Sequence, residues 1–489
     1  MNMTQLENAG SPQEKLPDSL SAFIEGIQVR LGTSTDIIYR FITLGPSSVV
    51  VVYIEGMADP QALMKAIHED AGQFNEFSEP QPERCLKLLQ DRTLSLGKVG
   101  GITNYTEVET ELLAGNSVIY IDGSTHALSA GTEALKQRSV EDAVSQSVVR
   151  GPREGFTESL RENTALIRRR IQNPKLRIEQ RKLGEQTQTN VAVMYIEGNA
   201  DPEVLQELRR RLDAAKLDSV LESNYIEEMI QDQRYSPFPT VYNTERPDSA
   251  ASALLEGRIA ILVEGTPFIL VVPALLVQFF QSSEDYYQRS DFATLVRMLR
   301  FFCFAIALLT PSFYIAITTF HQEMIPTTLL ISLIGQREGI PFPAFLEAFI
   351  MEITFEILRE AGIRLPKSIG QSVSIVGTLV IGQAAVDAGL VSAAMVIVVS
   401  ITAIANFTLP AFNVGISVRM LRFVLMVIAA SFGLFGIIIA LIILGLHLCS
   451  LESMGIPYMT SFAPMRRQSQ KDTFIRLSRR TMKKYFGQN

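Results

Sequence analysis

Cysteine, histidine and catalytic signatures are all scarce in this chain. Its 489 residues hold only three cysteines, Cys85, Cys303 and Cys449, two of them inside apolar runs, which argues against a disulfide framework. The four histidines, His68, His126, His321 and His447, are far apart and lack the spacing of metal ligands. There is no glycine-rich phosphate loop, no G-x-S-x-G elbow and no H-E-x-x-H helix. The sequence gives no ground for an enzyme, a metal centre or a cofactor. Residues 1–21 lack the apolar core of a signal peptide and carry Glu7, Glu14, Lys15 and Asp18, so the soluble part is expected to stay in the cytoplasm.

Beyond Arg300 the missing ingredient is charge. Between Phe301 and Gln336 the only formal charge is Glu323, between Ser368 and Val418 it is Asp387, and from Phe423 to Leu451 there is none. Crossing a bilayer takes about 20 apolar residues, so these runs read as an integral membrane half. The formal net charge of -7 is uneven, because Arg466, Arg467, Lys471, Arg476, Arg479, Arg480, Lys483 and Lys484 make the tail basic. Such a tail suits anionic headgroups on the cytoplasmic side, or is simply a solvated segment obeying the positive-inside rule. No nucleic-acid-binding module accompanies it, and nucleic acid is not an expected partner.

The soluble half contains a duplication. YIEGMADPQAL from Tyr53 returns as YIEGNADPEVL from Tyr195, and LLAGNSVIYIDG from Leu112 returns as LLEGRIAILVEG from Leu254, both 142 residues on. Two matches with one offset imply two homologous α/β subdomains. In each, a Val-rich run closed by Glu-Gly predicts a buried strand and turn. Asp59-Pro60 and Asp201-Pro202 then predict a capping carboxylate before a proline in the first helical turn. Glu55, Asp122, Glu197 and Glu264 fall at predicted strand exits, where they would either ligate something or only build turns.

Between the repeats, Arg161, Arg168, Arg169 and Arg170 interleave with Leu160, Leu166, Ile167 and Ile171 in a basic amphipathic helix. It suits a subunit or subdomain interface, or a solvated bridge. The segments VVRGP and ALIRRR, SPFPTVYNTERPDSAASALLEGRIAILVEGTPF from Ser236, QSSEDYYQR from Gln281, REGIPFPAFLEAFIMEITFEILREAGIRLP from Arg337 and IGQAAVDAGLVS from Ile381 together resemble the A subunit of the GerA-type nutrient germinant receptors of bacterial spores. A paralogous stage V sporulation protein shares the resemblance.

The resemblance implies a multi-pass protein of the inner spore membrane with its N-terminal domain on the core side. It implies a transporter-like B subunit that binds the germinant, a lipoprotein C subunit, and a homo-oligomeric ring, a pentamer, whose membrane part forms a cation channel opened by nutrient. Other readings are a secondary transporter subunit or a membrane-anchored regulatory protein that amplifies germination.

The fold expected is a duplicated α/β soluble domain followed by an α-helical multi-span membrane domain. The expected boundaries are a first subdomain with N-terminal extension over 1–147, a basic helical connector over 148–190, a second subdomain over 191–296, the membrane domain over 297–451 and a basic tail over 452–489. Phe301 to Phe320, Ile369 to Val386, Leu390 to Pro410 and Phe423 to Leu448 are the spanning candidates, with Ile325 to Gly335 a broken or re-entrant helix behind Pro326. Arg419 and Arg422 prefer the cytoplasmic side, which conflicts with a single crossing between them and the basic tail. Glu347, Glu352 and Glu356, with Glu360, recur every four or five residues and would form an acidic vestibule, or an interfacial helix in which Glu356 and Glu360 pair with Arg359 and Arg364. Ser372, Ser374, Gly377, Thr378 and Gln383 suit either close helix packing or a pore lining, and the implied ring favours the pore.

Overall fold

The structure, a computed structural model, describes residues 14–61, 63–65, 67, 79–92, 99–134, 143, 146, 148–365, 382–460, 462–463 and 472–477. The chain divides into two compact units, Met1–Gln231 with Asn243–Pro273, and Asp232–Tyr242 with Ala274–Asn489.

The first unit carries the duplication as two sheets. After helix α1 (Leu20–Leu31), strands β1 (Ile37–Leu44) and β2 (Ser47–Ile54) form an antiparallel hairpin. Helix α2 (Pro82–Arg92), β3 (Val99–Ile102), helix α3 (Tyr105–Leu113), β4 (Ser117–Ile121) and β5 (Ala127–Ala130) complete the first repeat, with strand order β1-β2-β4-β5-β3. The second repeat opens with helix α4 (Leu160–Arg170), β6 (Leu176–Leu183) and β7 (Thr189–Ile196). Helices α5 (Pro202–Ala214) and α6 (Ser223–Ile230), β8 (Tyr242–Thr244), helix α7 (Pro247–Leu255), β9 (Ile259–Val263) and β10 (Ile269–Val272) follow, in the order β6-β7-β9-β10-β8. The two orders are the same, strand for strand. The second sheet also starts earlier than the expected boundary at 191, because β6 falls inside the stretch read as connector.

Local chemistry explains the boundaries. Asp201 caps α5, its carboxylate accepting from the Glu203 amide at 2.9 Å, and Asp59 accepts from the Gln61 amide at 3.1 Å. Central strands are apolar throughout: Val49 to Val52 and Ile259 to Val263 have no exposed surface. At about 1.5–3 kcal/mol for each buried aliphatic side chain, this burial is the main source of stability in each repeat.

The pairings β1–β2, β2–β4 and β4–β5, and likewise β6–β7, β7–β9 and β9–β10, are antiparallel, which changes the meaning of the strand-exit carboxylates. The crevice at the C-terminal strand ends of a parallel sheet does not arise here. Asp122 instead accepts from the Leu20 amide at 2.8 Å, at the start of α1. Glu197 pairs with Arg177 at 2.5 Å, and Glu55 lies 3.8 Å from Arg161.

On α6, Glu227 is pushed up to about 7 from its ordinary 4.5, first by burial and then by the neighbouring carboxylates Glu222 and Glu228. A carboxyl raised in the folded state favours folding below pH 4.5, and that contribution is lost as pH rises to about 7. Amide-exchange protection of Ser223–Ile230, corrected for intrinsic rates, should therefore fall across this window. Glu227→Gln should flatten the profile and stabilise α6 by on the order of 2 kcal/mol at pH 8.

The second unit is helical: α8 (Ser290–Phe320), α9 (Thr327–Arg337), α10 (Ala344–Arg364), α11 (Gly382–Asp387), α12 (Ala393–Phe407) and α13 (Phe412–Ser450). Two of these, α8 and α13, are long and apolar enough to cross a membrane, and α12 is a shorter apolar helix. The first spanning candidate lies inside α8; the last, Phe423 to Leu448, lies inside α13 but is broken at Gly433 and is not one straight span. The candidate from Ile369 falls almost entirely outside the described residues. Pro326 precedes α9, an 11-residue helix where a broken segment was expected.

Helix α13 is not straight. Gly433 has φ 59° and ψ -145°, which no α-helix contains. The Ser417 hydroxyl donates to the Pro237 carbonyl at 2.5 Å, while the adjacent Ser236 hydroxyl lies 2.9 Å from His447 Nε2. In a continuous helix Ser417 and His447 would be about 45 Å apart. The chain therefore folds back at Gly433 into a hairpin with legs over 412–432 and 434–450, each close to the roughly 17–25 residues a span needs. Its tip sits against the end of α8: a Cβ on Gly433 would come within 2.9 Å of His321 and 3.1 Å of Phe320. The hairpin returns the chain to the end it started from. Arg419 and Arg422 then share that end with the residues that follow α13, which removes the topological conflict seen in the sequence.

Candidate functional site

Helix α10 carries the acidic residues singled out in the sequence. Glu352 and Glu356, four apart, lie about 40° from each other around the helix, whereas Glu347, nine before Glu356, lies about half a turn from it; in the structure Glu347 and Glu352 both turn inward. Glu347 and Glu352 have no exposed surface. One Glu347 oxygen accepts from the Ser392 amide at 2.5 Å and from the Ser392 hydroxyl, so it also fixes the N-terminus of α12, while the other lies 3.7 Å from Arg337. Glu352 meets Arg422 at 3.1 Å. Glu356 meets Arg359 at 2.5 Å, Arg419 at 2.9 Å and Arg422 at 3.8 Å. Each carboxylate faces a guanidinium. Glu360 pairs with Arg364 at 2.7 Å on the exposed side.

These pairs form a ladder joining α10 to α9 and to the first leg of α13. Phe349 packs edge-on against Phe423 at 5.9 Å, and Phe355 against Phe407 at 6.5 Å, so the surroundings are apolar. Burying two ions costs several kcal/mol each, which their attraction repays only when hydrogen bonds are well aligned. Here they are not. Neither oxygen of Glu352 and none of the three nitrogens of Arg422 makes a hydrogen bond among the described residues. Among the described residues around Glu352 and Glu356, three guanidiniums, Arg359, Arg419 and Arg422, face two carboxylates.

Of the residues read as pore lining, Ser372, Ser374, Gly377 and Thr378 lie outside the described residues. Gln383 is on α11, its amide donating to Asp387 at 2.9 Å. Arg168, Arg169 and Arg170 belong to the N-terminal unit, and the first two join its two repeats. Arg168 is buried; its Nε and Nη2 donate to the two oxygens of Asp36, ahead of β1, at 2.8 and 3.1 Å, and its Nη1 donates to the Leu176 carbonyl at 2.9 Å. Arg169 donates to the Ala134 carbonyl at 3.2 Å, and Arg170 pairs with Glu154 at 2.6 Å. Gly56 completes the junction, since a Cβ there would come within 2.8 Å of the Arg161 carbonyl.

A second charged centre was not legible in the sequence. Arg297, in the first turns of α8, has no exposed surface; its guanidinium donates to the Asp472 carboxylate at 2.8 Å and to the Asp472 carbonyl at 2.5 Å, and lies 3.2 Å from Asp285. Arg300 donates to Asp285 at 2.8 Å. Tyr286 donates to Asp472, Gln281 donates to the Asp472 carbonyl at 2.6 Å, and Phe474 packs on Phe301 at 4.8 Å. Residues 472–477 thus form a strap across the QSSEDYYQR stretch. The usable signal was Asp472, an acid in an otherwise basic tail.

The family model described as Bacillus/Clostridium GerA spore germination protein matches residues 25–485. Spore germination protein KA of Bacillus subtilis (strain 168) is 48% identical over 462 residues, covering 94% of this chain and 84% of that protein. Spore germination protein GerLA of Bacillus cereus is 41% identical over 472 residues, covering 96% and 95%. The crystal structure of the N-terminal domain of the A subunit of the Bacillus megaterium spore germinant receptor GerK3 is 37% identical, covers 55% of this chain and 100% of that chain, and aligns with a TM-score of 0.44. On the family match and these sequence identities, the chain belongs to the GerA family of spore germination proteins.

Proposed function

We propose that this chain is the A subunit of a nutrient germinant receptor of the inner spore membrane, and that copies of it assemble into a ring, a pentamer, whose membrane helices conduct cations when germinant binds a transporter-like B subunit. A lipoprotein C subunit completes the receptor, and the duplicated domain lies on the core side. The carrying observation is a helical unit with two long apolar helices, one folded into a hairpin, that also buries a ladder of carboxylates and guanidiniums. Intramembrane charges are costly and mark ion pathways or the elements that control them. On sequence grounds the path is assigned to Ser372, Ser374, Gly377, Thr378 and Gln383, where polar side chains and glycines interrupt an apolar run.

The complete receptor in liposomes should release a trapped monovalent cation only when germinant is added, and its mass in detergent should correspond to several copies of the chain. Val380→Ala or Ser374→Asp should change conductance at least about tenfold, whereas Val396→Ala or Val427→Ala should do much less. Germinant-dependent movement of a solute other than ions, by a monomeric chain, would favour a transporter subunit instead.

A further inference from the structure

The Glu352–Arg422 pair raises a question that its burial alone does not answer. Both side chains are 1% exposed, yet they touch at 3.1 Å without a single aligned hydrogen bond between them. Arg422 has five N–H donors and Glu352 four lone-pair sites. A pair built only to stabilise the fold would use them. The neighbouring rung is different: Arg419 donates to Glu356 Oε2 at 2.9 Å and to the Gly415 carbonyl at 3.2 Å, and Arg359, on α10 itself, donates to the same Glu356 oxygen at 2.5 Å, while Glu356 Oε1 makes no hydrogen bond among the described residues. Helix α10 is thus held to the first leg of α13 by one well-made rung, hydrogen-bonded through Arg419, and one loose one. Every carboxylate in the stripe is spent on these contacts. In this arrangement Glu352 and Glu356 are neutralised and offer nothing to a passing cation.

We infer that the ladder is the closing latch of the conduction path, and that the same carboxylates become its acidic mouth when α10 parts from α13. The inference rests on the channel reading above. It explains why acids at four- and five-residue spacing are buried against arginines in a cation-conducting protein. The closed state needs them compensated, and the open state needs them free. The loose central rung keeps the two arrangements close in energy, as a two-state element requires. The position also fits, because α10 ends at Arg364 and leads into the stretch from Ser368 assigned to the path.

The test uses the complete receptor in liposomes, with Cys449→Ser to remove the exposed cysteine; Cys85 and Cys303 are buried. Glu356→Cys with Arg419→Cys removes the well-made rung and supplies two thiols that a short bis-methanethiosulfonate reagent can join. Before cross-linking, cation leak without germinant should rise at least about tenfold, because losing a contact made only in the closed state shifts the two-state equilibrium toward the open one. Cross-linking should abolish both the leak and the response to germinant, and reductant should restore the leak. Arg422→Gln should leak as well, without a reversible component. If the unmodified receptor responds to germinant while the cross-linked pair conducts just as well, or while both variants stay shut without germinant, the latch is wrong and the channel stands. If the unmodified receptor conducts no cations, the channel reading itself fails.

Discussion

Arg168→Met is expected to destabilise the N-terminal unit by about 3–5 kcal/mol, the scale for removing one partner of a buried ion pair. Methionine keeps most of the stem and deletes the guanidinium, so the packing loss is small. What remains is Asp36, 3% exposed, with its ionic partner gone. The Leu176 carbonyl and the Ser34 hydroxyl lose the same donor. Because the Thr35 amide also donates to the Ile178 carbonyl at 3.1 Å, the strain falls on the junction between the repeats and not within either sheet. Arg168→Lys should recover only part of the loss, since an ammonium cannot span both carboxylate oxygens. Asp36→Asn in the Arg168→Met background should recover much more. Denaturant unfolding followed by circular dichroism in detergent reads the effect; a loss below 1 kcal/mol for Arg168→Met would mean that the two repeats do not depend on this clamp.

Gly433→Ala should be comparably severe, at about 3 kcal/mol or more. Its φ of 59° with ψ of -145° belongs to a region essentially confined to glycine, costing of order 1–3 kcal/mol for other residues. The new Cβ would also stand 2.9 Å from the His321 ring and 3.1 Å from Phe320 Cβ, and the latter cannot move without shifting the end of α8. Gly445→Ala is the matched control, as its Cβ would meet nothing within 4 Å among the described residues, and it should be neutral or stabilising by roughly 0.5–1 kcal/mol. The hairpin itself is checked by labelling. A membrane-impermeant thiol reagent should reach Cys449 and an introduced Met420→Cys from the same side of the bilayer. Labelling from opposite sides would require a straight α13 and overturn the fold-back.

The duplication was legible because a shared offset is independent of secondary structure: the 142-residue shift locates β2 and β7, β4 and β9, and α3 and α7 in register. What the repeat could not reveal was strand direction, since a Val-rich run closed by Glu-Gly looks the same in parallel and antiparallel sheets. Periodicity likewise placed Glu352 and Glu356 side by side on a helix but could not place the arginines opposite, which lie more than sixty positions later in Arg419 and Arg422. Those arginines had drawn notice only as a charge in the wrong place. The hairpin was hidden for a related reason. A glycine in an apolar helix is ordinarily a packing residue, and only the backbone angles at Gly433 distinguish a reversal from a close contact.

The strap sets the order in which this protein can be finished. Arg297 finds Asp472 only once the chain has grown by a further 175 residues, which at about 5–20 residues per second takes roughly 10–35 s. Until then Arg297 and Arg300 share Asp285 as their carboxylate partner, and Phe280 stacks on Phe301 at 4.4 Å. Closure of the helical unit at this point therefore waits until Asp472 has been made. Truncations placed just before Asp472 should yield chains that insert but mature poorly, whereas additions beyond residue 477 leave the described seat intact.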